Sequence, residues 1–183
     1  MTQKSLGFTL IELMIALSVF AFLIMIAGPQ YAEFMGNMQI RNGAENTLTG
    51  VRRAQGEAVR ANTLVQFILD PTPCSGGWQV SKLNDETNGY DVVDSYTYAD
   101  GACKTTPSTA PNGATKITFN GLGRIVDNLD ASARIKWVEI TNTNVTTPRI
   151  LRVVVNPVTA SGIKLCDPDP IVASNDARFC PAT

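Results

Sequence analysis

One acidic residue interrupts a long apolar run near the amino terminus. Residues 8–27 read FTLIELMIALSVFAFLIMIA, and Glu12 is the one charged side chain among them. A helix of about 20 residues spans about 30 Å of hydrocarbon, so this run is long enough to cross a bilayer. A carboxylate without a partner at that depth is costly, and acids inside membrane segments usually have a function. The sequence therefore predicts a partner for Glu12 within the membrane.

The other residues that could carry chemistry argue against an enzyme. The chain has no histidine, which removes the commonest general base, the commonest zinc ligand and the middle member of a serine protease triad. An enzyme would then need paired carboxylates, a serine–lysine pair or a cysteine nucleophile, and the candidate acids fall mainly in loops without a pairing signal. We therefore expect no catalytic residue, no metal and no cofactor.

Four cysteines point to an oxidising compartment. All four lie after the apolar run, and no two form the C-x-x-C pair of a zinc or thioredoxin-like site: Cys74, Cys103, Cys166 and Cys180. Disulfides explain this spacing better than free thiols do. Three pairings are possible, and we favour Cys74 with Cys103 and Cys166 with Cys180 because each pair is nearest in sequence.

The overall charge of the chain excludes a general attraction to polyanions. Of its 183 residues, 15 are basic and 16 are acidic, which leaves a net charge of −1. Any contact with DNA or with an anionic membrane surface would have to be local. The hydrophobic content of 44% includes the apolar run, so the remainder is one globular domain of modest size.

The seven residues before the apolar run differ from a secretory signal. Residues 1–7, MTQKSLG, are short and polar, and the small residue Gly7 precedes the apolar run instead of following it. Cleavage between Gly7 and Phe8 would leave the apolar helix on the mature protein and give Phe8 a free amine. Lys4 in the leader would help to retain that end in the cytoplasm.

The segment KSLGFTLIELMIALSVFAFL resembles the amino termini of type IV pilins and of the pseudopilins of type II secretion. Their signature is Gly, then Phe or Met, then T-L-I-E and a long apolar tract. The resemblance implies that a prepilin peptidase cleaves after Gly7 and methylates the amine of Phe8. It also implies the partner of Glu12, namely the Phe8 amine of a neighbouring subunit, which would set the axial register of stacked helices.

A helical pattern continues beyond the apolar run. Gly28 and Pro29 follow it directly, and a proline inside a helix predicts a bend or local melting at this point. Later residues recur at spacings of three and four and predict a narrow face packed against a sheet: Ala44, Leu48, Val51, Ala54, Ala58 and Ala61. On another face, Arg53 and Glu57 are spaced for an ion pair, beside Arg60, on a solvated or intersubunit surface.

After Asn62 the pattern changes to short β-branched and aromatic runs separated by turn residues. We predict eight strands, at 64–69, 77–82, 92–98, 115–119, 123–127, 134–140, 149–155 and 162–166. Residues 117–126 predict a hairpin whose turn uses Asn120-Gly121, since both tolerate positive φ. The runs RIKWVEI and RILRVVV predict adjacent antiparallel strands.

Residues 83–114 are polar, rich in turn residues and poor in aliphatic side chains. This composition predicts a long surface excursion, stapled if Cys74 pairs with Cys103. The excursion carries three tyrosines that we expect to cover a sheet edge, with contact to a partner subunit as the alternative: Tyr90, Tyr96 and Tyr98.

The fold class that follows is α+β. We divide the chain into a leader at 1–7, a helix at 8–62 and a periplasmic β-rich domain at 63–183. Residues 8–28 form the transmembrane and assembly segment of the helix, and an antiparallel sheet packs on its second half, as in type IV pilins. The expected location is the inner membrane, crossed once, followed by incorporation into a fibre.

The last 23 residues, SGIKLCDPDPIVASNDARFCPAT, resemble the end of the FimT/FimU branch of minor pilins, a family that also holds the GspH pseudopilins. Some members are DNA receptors with a Gly-Arg-x-Arg element just before the first of the two cysteines. Aligned on Cys166, the corresponding positions here are Ser161, Gly162, Ile163 and Lys164, so one cation remains.

Lys164 is a poor substitute for a basic cluster, because sequence-independent DNA binding depends on several phosphate contacts. Asp167 and Asp169 follow it closely, although Arg178 would lie near it if Cys166 pairs with Cys180. Lys164 and Arg178 are therefore weak candidates, and the sequence argues against DNA binding.

The resemblance as a whole implies a minor pilin that primes or joins a type IV pilus. Its expected partners are major and minor pilins, the prepilin peptidase and the inner membrane. Two alternatives remain open, a GspH-like pseudopilin of a type II secretion system and, with less support, a DNA receptor in natural transformation.

Overall fold

The computed structural model describes residues 8–84, 86–87, 89–155 and 162–180. One long helix is followed by nine strands. The helix α1 is Leu10–Ala61, and the strands are β1 Val65–Asp70, β2 Gly77–Asn84, β3 Gly89–Thr97, β4 Thr106–Ala110, β5 Lys116–Phe119, β6 Ile125–Val126, β7 Trp137–Thr141, β8 Leu151–Val155 and β9 Ile163–Cys166.

Helix α1 is continuous over 52 residues. It begins after Thr9, which caps the first turn, and ends at Asn62, whose φ of 49° and ψ of 41° place it in the left-handed conformation typical of a helix end. Pro29 lies inside it, and both Gly28 and Pro29 are helical. Local melting is therefore absent at this dipeptide, and a bend there remains a prediction.

The two halves of α1 have different surroundings. The apolar half is long and apolar enough, by length and composition, to cross a membrane, and none of its most hydrophobic 18-residue window is buried. The second half packs one face against the sheets, and its buried residues are Gly36, Ile40, Gly43, Ala44, Thr47, Gly50, Val51, Ala54, Glu57 and Ala58. Four members of the predicted stripe are thus buried, whereas Leu48 and Ala61 lie half-buried at its margins.

Two antiparallel sheets cover this face. The first has the strand order β3-β2-β1-β5-β6 and the second has the order β4-β7-β8-β9. The predicted pairing of RIKWVEI with RILRVVV is confirmed, since β7 and β8 are antiparallel with Trp137 opposite Val154. Alternate residues of β1 point into the core, where Val65, Phe67 and Leu69 are at most 2% exposed.

Three glycines spaced seven residues apart allow the sheets to approach the helix closely. Gly36, Gly43 and Gly50 lie on the buried face. A Cβ atom at Gly50 would lie 2.6 Å from the Trp78 ring and 2.9 Å from Phe67 Cε2, closer than carbon atoms pack. The sequence stripe of alanines and aliphatic residues did not include these glycines, although they share its spacing.

The predicted surface excursion at 83–114 is wrong in part. This range contains strands β3 and β4, and the sequence did not predict β4. Tyr98, Ala102 and Thr105 are fully buried. The polar composition arises because β3 and β4 are edge strands of their two sheets and expose much of their side chains. Of the three tyrosines, Tyr90 and Tyr96 lie on the edge strand β3, whereas Tyr98 belongs to the core.

The predicted hairpin at 117–126 forms, but its turn differs from the expected one. Strands β5 and β6 pair antiparallel, and the residue with positive φ is Gly123, at 71°, instead of Asn120 or Gly121. The Asn120 side chain shapes the turn by accepting the amide protons of Leu122 and Arg124. Gly121 is needed for another reason, since a Cβ there would contact Asn62 at the helix end.

The predicted ion pair between Arg53 and Glu57 is also wrong. Glu57 is 6% exposed and accepts hydrogen bonds from the Arg60 guanidinium at 2.8 and 2.5 Å. This hydrogen bonding holds the pKa of Glu57 below its usual value. Arg53 lies 3.6 Å from Asp94 instead. The cause is the packing of α1, which turns Glu57 towards the sheet and leaves Arg53 at its edge.

Both disulfides have the favoured pairing. Cys74 is bonded to Cys103, and Cys166 is bonded to Cys180. The first ties the turn between β1 and β2 to the segment between β3 and β4. The second closes a loop at the carboxyl end that has one short strand, β9, at its base.

Gly50 and Gly56 provide a matched test of the close packing of α1. Gly50→Ala is expected to destabilise the domain by about 1–3 kcal/mol, because the added methyl group collides with Trp78 and Phe67. Gly56→Ala meets nothing within 4 Å and is expected to stabilise by about 0.5–1 kcal/mol through helix propensity alone. Urea unfolding of residues 30–183 measures both, and a stabilised Gly50→Ala variant would contradict the packing described here.

Candidate assembly site

Glu12 occupies the first turn of α1, in a reciprocal arrangement with Thr9. The Thr9 hydroxyl accepts the amide proton of Glu12 at 3.3 Å, and the Thr9 amide donates to Glu12 Oε2 at 3.5 Å. This is a capping box, which satisfies two of the amide groups left free at a helix start. The carboxylate is thus held near the positive end of the helix dipole, where it binds the amide of Thr9, the residue that follows Phe8.

Phe8 directly precedes Thr9, four residues before Glu12, and is 84% exposed. Gly7, the predicted cleavage position, lies outside the described residues, as do Lys4 and the rest of the leader. The capping role of Glu12 was missed in the sequence, although the T-x-x-E spacing before an apolar run is the usual signal for it.

The apolar side chains around Glu12 have no cover within the described residues. Large hydrophobic side chains from Leu10 to Ile26 are between 54% and 79% exposed. Exposed apolar area on this scale is unfavourable in water and requires lipid or protein around it. The segment that contains Glu12 therefore presents an apolar surface suited to lipid or to other apolar helices.

The globular domain begins to contact the helix about two turns after Pro29, at Gly36. The side-chain amide of Asn142 donates to the Gly36 carbonyl at 3.5 Å, and the backbone amide of Arg149 donates to Asn37 Oδ1 at 2.9 Å. On another side of the helix, the Lys104 amide donates to Gln39 Oε1 at 3.3 Å. These contacts anchor α1 from Gly36 onwards, whereas residues 8–35 project from the domain.

The carboxyl-terminal loop closed by Cys166 and Cys180 is held by hydrogen bonds as well as by its disulfide. The Asp167 amide donates to the Arg178 carbonyl at 2.7 Å, and Lys164 Nζ donates to the Phe179 carbonyl at 3.0 Å. The Asp167 carboxylate is mostly buried and lies 3.7 Å from the guanidinium of Arg149. The loop is therefore fixed to β9 and to the turn before β8.

The two weak candidates for DNA contact, Lys164 and Arg178, are brought to the same loop. Each is engaged within it, since Lys164 binds the Phe179 carbonyl and Arg178 binds the Asp176 carboxylate at 2.8 and 3.2 Å. The hydrogen bonds from Arg178 lower the pKa of Asp176 to about 2, so this carboxylate stays charged at neutral pH. Nearby acids thus balance the cations, and the loop lacks the concentrated positive charge that phosphate binding needs.

A cleft separates this loop from α1, and sequence reasoning did not find it. The cleft has a volume of about 430 Å³, with Phe34 and Met38 from the helix on one side and Leu151 and Leu165 from β8 and β9 on another. A second, larger cleft of about 810 Å³ lies between the same loop and the outer side of β7 and β8. No periodic signal could have predicted either cleft, because their walls come from three distant parts of the chain.

Comparison with known families matches both parts of the molecule. Residues 2–28 match the prokaryotic N-terminal methylation motif, and residues 43–159 match the family of type II transport protein GspH. Neither a curated protein nor a solved structure matches the sequence significantly. The second family match covers more than half of the chain and includes most of the buried helix face and strands β1 to β8. The chain therefore belongs to the GspH family and, with its methylation motif and projecting apolar helix, is a type IV pilin or pseudopilin.

Proposed function

We propose that this protein is a minor pilin that is cleaved after Gly7, methylated on Phe8 and assembled into a type IV pilus through its apolar helix. The observation that carries the proposal is the position of Glu12, a carboxylate in the first turn of an uncovered apolar helix, four residues after Phe8 and hydrogen-bonded to the amide of the adjacent Thr9. For a soluble or monomeric membrane protein, an acid at this position offers only a helix cap, which an uncharged glutamine also provides, and its charge makes insertion less favourable.

Cleavage would create the missing partner for this carboxylate. Before cleavage, Glu12 has the Thr9 amide and the helix dipole, both of which are partial charges. After cleavage, each subunit has a positively charged amine on Phe8. In the low dielectric of packed apolar helices, an amine from a neighbouring subunit interacts far more strongly with the carboxylate than it would in water. Assembly then neutralises two charges that a lone subunit leaves unpaired.

The globular domain suits the periplasmic side of such an assembly. Two disulfides require an oxidising compartment. The domain contacts the helix only after Pro29, so the apolar half is free to lie in the membrane. The partners that follow are other pilins along the apolar helix and the prepilin peptidase at the leader.

A pseudopilin of a type II secretion system is the second candidate. The description of the matched family, type II transport protein GspH, favours it. The loop between Cys166 and Cys180, which resembles the end of the FimT/FimU branch, favours the pilus instead. The leader, the helix and the sheets suit both machines equally, so genetic context and complementation decide between them.

Glu12→Gln removes the negative charge of residue 12 but keeps the hydrogen bonds of the helix cap. Glutamine keeps the capping box, so membrane insertion is expected to be unchanged or improved. Incorporation into fibres is expected to fall about tenfold or more, because the neighbouring amine then lacks its counter-charge. The ratio of this subunit in sheared fibres to that in membranes measures the effect. Glu33→Gln, outside the apolar run, is the matched control, and equal incorporation of both variants would refute the ionic pairing.

Gly7→Val is expected to block an earlier step. A peptidase that accepts glycine at the cleavage position must hold the backbone closely, and a branched side chain prevents this approach. The expected result is an uncleaved precursor in the inner membrane, with no methylated Phe8 at the amino terminus. Intact-mass measurement of the membrane fraction distinguishes the two forms, and Ser5→Ala serves as a control that is expected to mature normally. A Gly7→Val protein that begins at methylated Phe8 would argue against this cleavage position.

DNA reception is the least supported function, and a direct measurement tests it. Because Lys164 and Arg178 are engaged by the Phe179 carbonyl and by Asp176, residues 30–183 are expected to give no shift of duplex DNA in a gel at low salt. A shift that is lost in Lys164→Ala and weakens with salt would establish DNA binding at this loop.

A further inference from the structure

Four residues of α1 share one helix face just beyond the apolar half. Phe34, Met38, Arg41 and Glu45 have the spacing i, i+4, i+7, i+11, and all four line the cleft of about 430 Å³. Phe34 and Met38 are 61% and 40% exposed, and the side chains of Arg41 and Glu45 are 67% and 48% exposed. The two sheets therefore leave this face of the helix open.

The chemistry of this face changes along the helix. Phe34 and Met38 lie nearest the apolar half, and one leucine from each of β8 and β9 belongs to the same lining. Arg41 and Glu45 follow, joined by an ion pair of 2.7 Å. From the apolar half outward, the face thus offers an apolar contact first, then a cation and then an anion.

The charges that line the cleft are balanced. Its charged members are Arg41, Arg149, Arg178, Glu45 and Asp167. Arg178 is bound to Asp176, which leaves two cations and two anions. Arg149 lies 3.7 Å from Asp167, beyond hydrogen-bond distance, and its side chain is 62% exposed. This balance does not suit a polyanion, whereas a headgroup with one charge of each sign finds a counterpart for both.

The cleft begins at the level of the lipid headgroups. Tyr31 lies four residues after the apolar run and is 67% exposed, and tyrosine side chains concentrate at membrane interfaces. Phe34 lies three residues further, which is about 5 Å along the helix axis. Because the side chains of a helix tilt towards its amino terminus, Phe34 and Met38 point back towards the bilayer. The cleft is therefore continuous with the apolar surface that lipid covers.

We propose that this cleft holds a zwitterionic phospholipid of the periplasmic leaflet while the protein is anchored in the membrane. The glycerol and the upper acyl chain contact Phe34 and Met38. The phosphate binds Arg41 and Arg149, neither of which belongs to the carboxyl-terminal loop, and the ammonium group binds Glu45. A phospholipid presents these groups in the order in which the helix face offers their counterparts.

The size and the lining of the cleft suit such a ligand. A volume of about 430 Å³ lies within the range of about 300–1,000 Å³ for small-molecule sites, which combine apolar walls with a few polar groups. Met38 also adapts readily to a flexible chain. The proposal rests on membrane anchoring, which is one part of the proposed function, and is independent of fibre assembly and of the pairing of Glu12.

Photo-crosslinking in nanodiscs tests the occupant. The full-length chain carries a photo-crosslinking amino acid at Met38 and is inserted into nanodiscs of phosphatidylethanolamine and phosphatidylglycerol in equal parts, with identical acyl chains. The same amino acid at Leu17, which is 58% exposed in the membrane segment, samples the bulk lipid. Intact-mass measurement is expected to show lipid adducts at both positions, with a ratio of phosphatidylethanolamine to phosphatidylglycerol about fivefold higher at Met38. No lipid adduct at Met38, or the same ratio at both positions, would overturn the proposal.

Glu45→Gln tests the headgroup contact. The lipid ratio at Met38 is expected to fall to the value at Leu17, because glutamine gives the ammonium group no counter-charge. Asp94→Asn is the matched control, since Asp94 also lies in an exposed ion pair with an arginine of α1, at 3.6 Å from Arg53, but outside the cleft. This control is expected to keep the ratio of the wild type.

Thermal unfolding in the same nanodiscs shows whether both variants are folded. An unchanged lipid ratio in folded Glu45→Gln contradicts the headgroup contact. If Glu45→Gln unfolds, Arg149→Gln repeats the test, and it is expected to lower the yield of lipid adducts at Met38 relative to Leu17 because the phosphate loses a donor.

The two levels of failure are distinguishable. If Leu17 acquires no lipid adduct, the chain is not in the membrane, and the proposed anchoring fails together with this site. If Leu17 acquires lipid adducts and Met38 does not, the anchoring stands and the lipid site alone is wrong.

Discussion

The arrangement of the apolar amino-terminal helix depends on the free-energy cost of placing the Glu12 carboxylate in an apolar environment. Glu12 lies where neither lipid nor its own domain can solvate it, and its contacts within the chain are one amide group and the dipole of its own helix. A full opposite charge has to come from outside the chain. This constraint connects the uncovered apolar helix with the proposed cleavage before Phe8 and the proposed assembly with other subunits, since each alone leaves a charge or an apolar surface unsatisfied.

Helix α1 joins two environments with one continuous hydrogen-bonded backbone. Its first half is exposed within the described residues, whereas its second half packs against two sheets through glycines and small side chains. The seven-residue spacing of Gly36, Gly43 and Gly50 keeps one face of the helix narrow along nearly the whole contact. Close packing of this kind fixes the second half of the helix to the two sheets.

The carboxyl-terminal loop shows how a related framework can serve another role. Its disulfide brings Lys164 and Arg178 together, which is the arrangement that a basic site would require. Asp176 and the Phe179 carbonyl then use both side chains for internal structure. On the helix side of the loop lies the cleft of about 430 Å³, which Phe34, Met38, Leu151 and Leu165 line.

The amino-acid sequence by itself determined the local features. These features depend on residues close in sequence: the length and composition of residues 8–27, the isolated Glu12, the alanine stripe and the pairing of neighbouring cysteines and strands. The structure contains the predicted helix, the predicted strands and both predicted disulfides. Local patterns also gave two wrong predictions. The polar residues of β3 and β4 were assigned to a surface excursion, because edge strands expose polar side chains. Glu57 was paired with Arg53 instead of Arg60, because residue spacing does not show which side of the helix packs against the sheets.

Only the tertiary structure decided which distant residues meet. Gly50 lies against Trp78, Gly121 against Asn62, and Phe34 and Met38 face Leu151 and Leu165 across a groove. Sequence periodicity reports the face on which a side chain lies, but not the element that packs against it. The glycine contacts and the groove depend on how two sheets and a disulfide loop close around one helix, and that arrangement is set by packing of the whole domain.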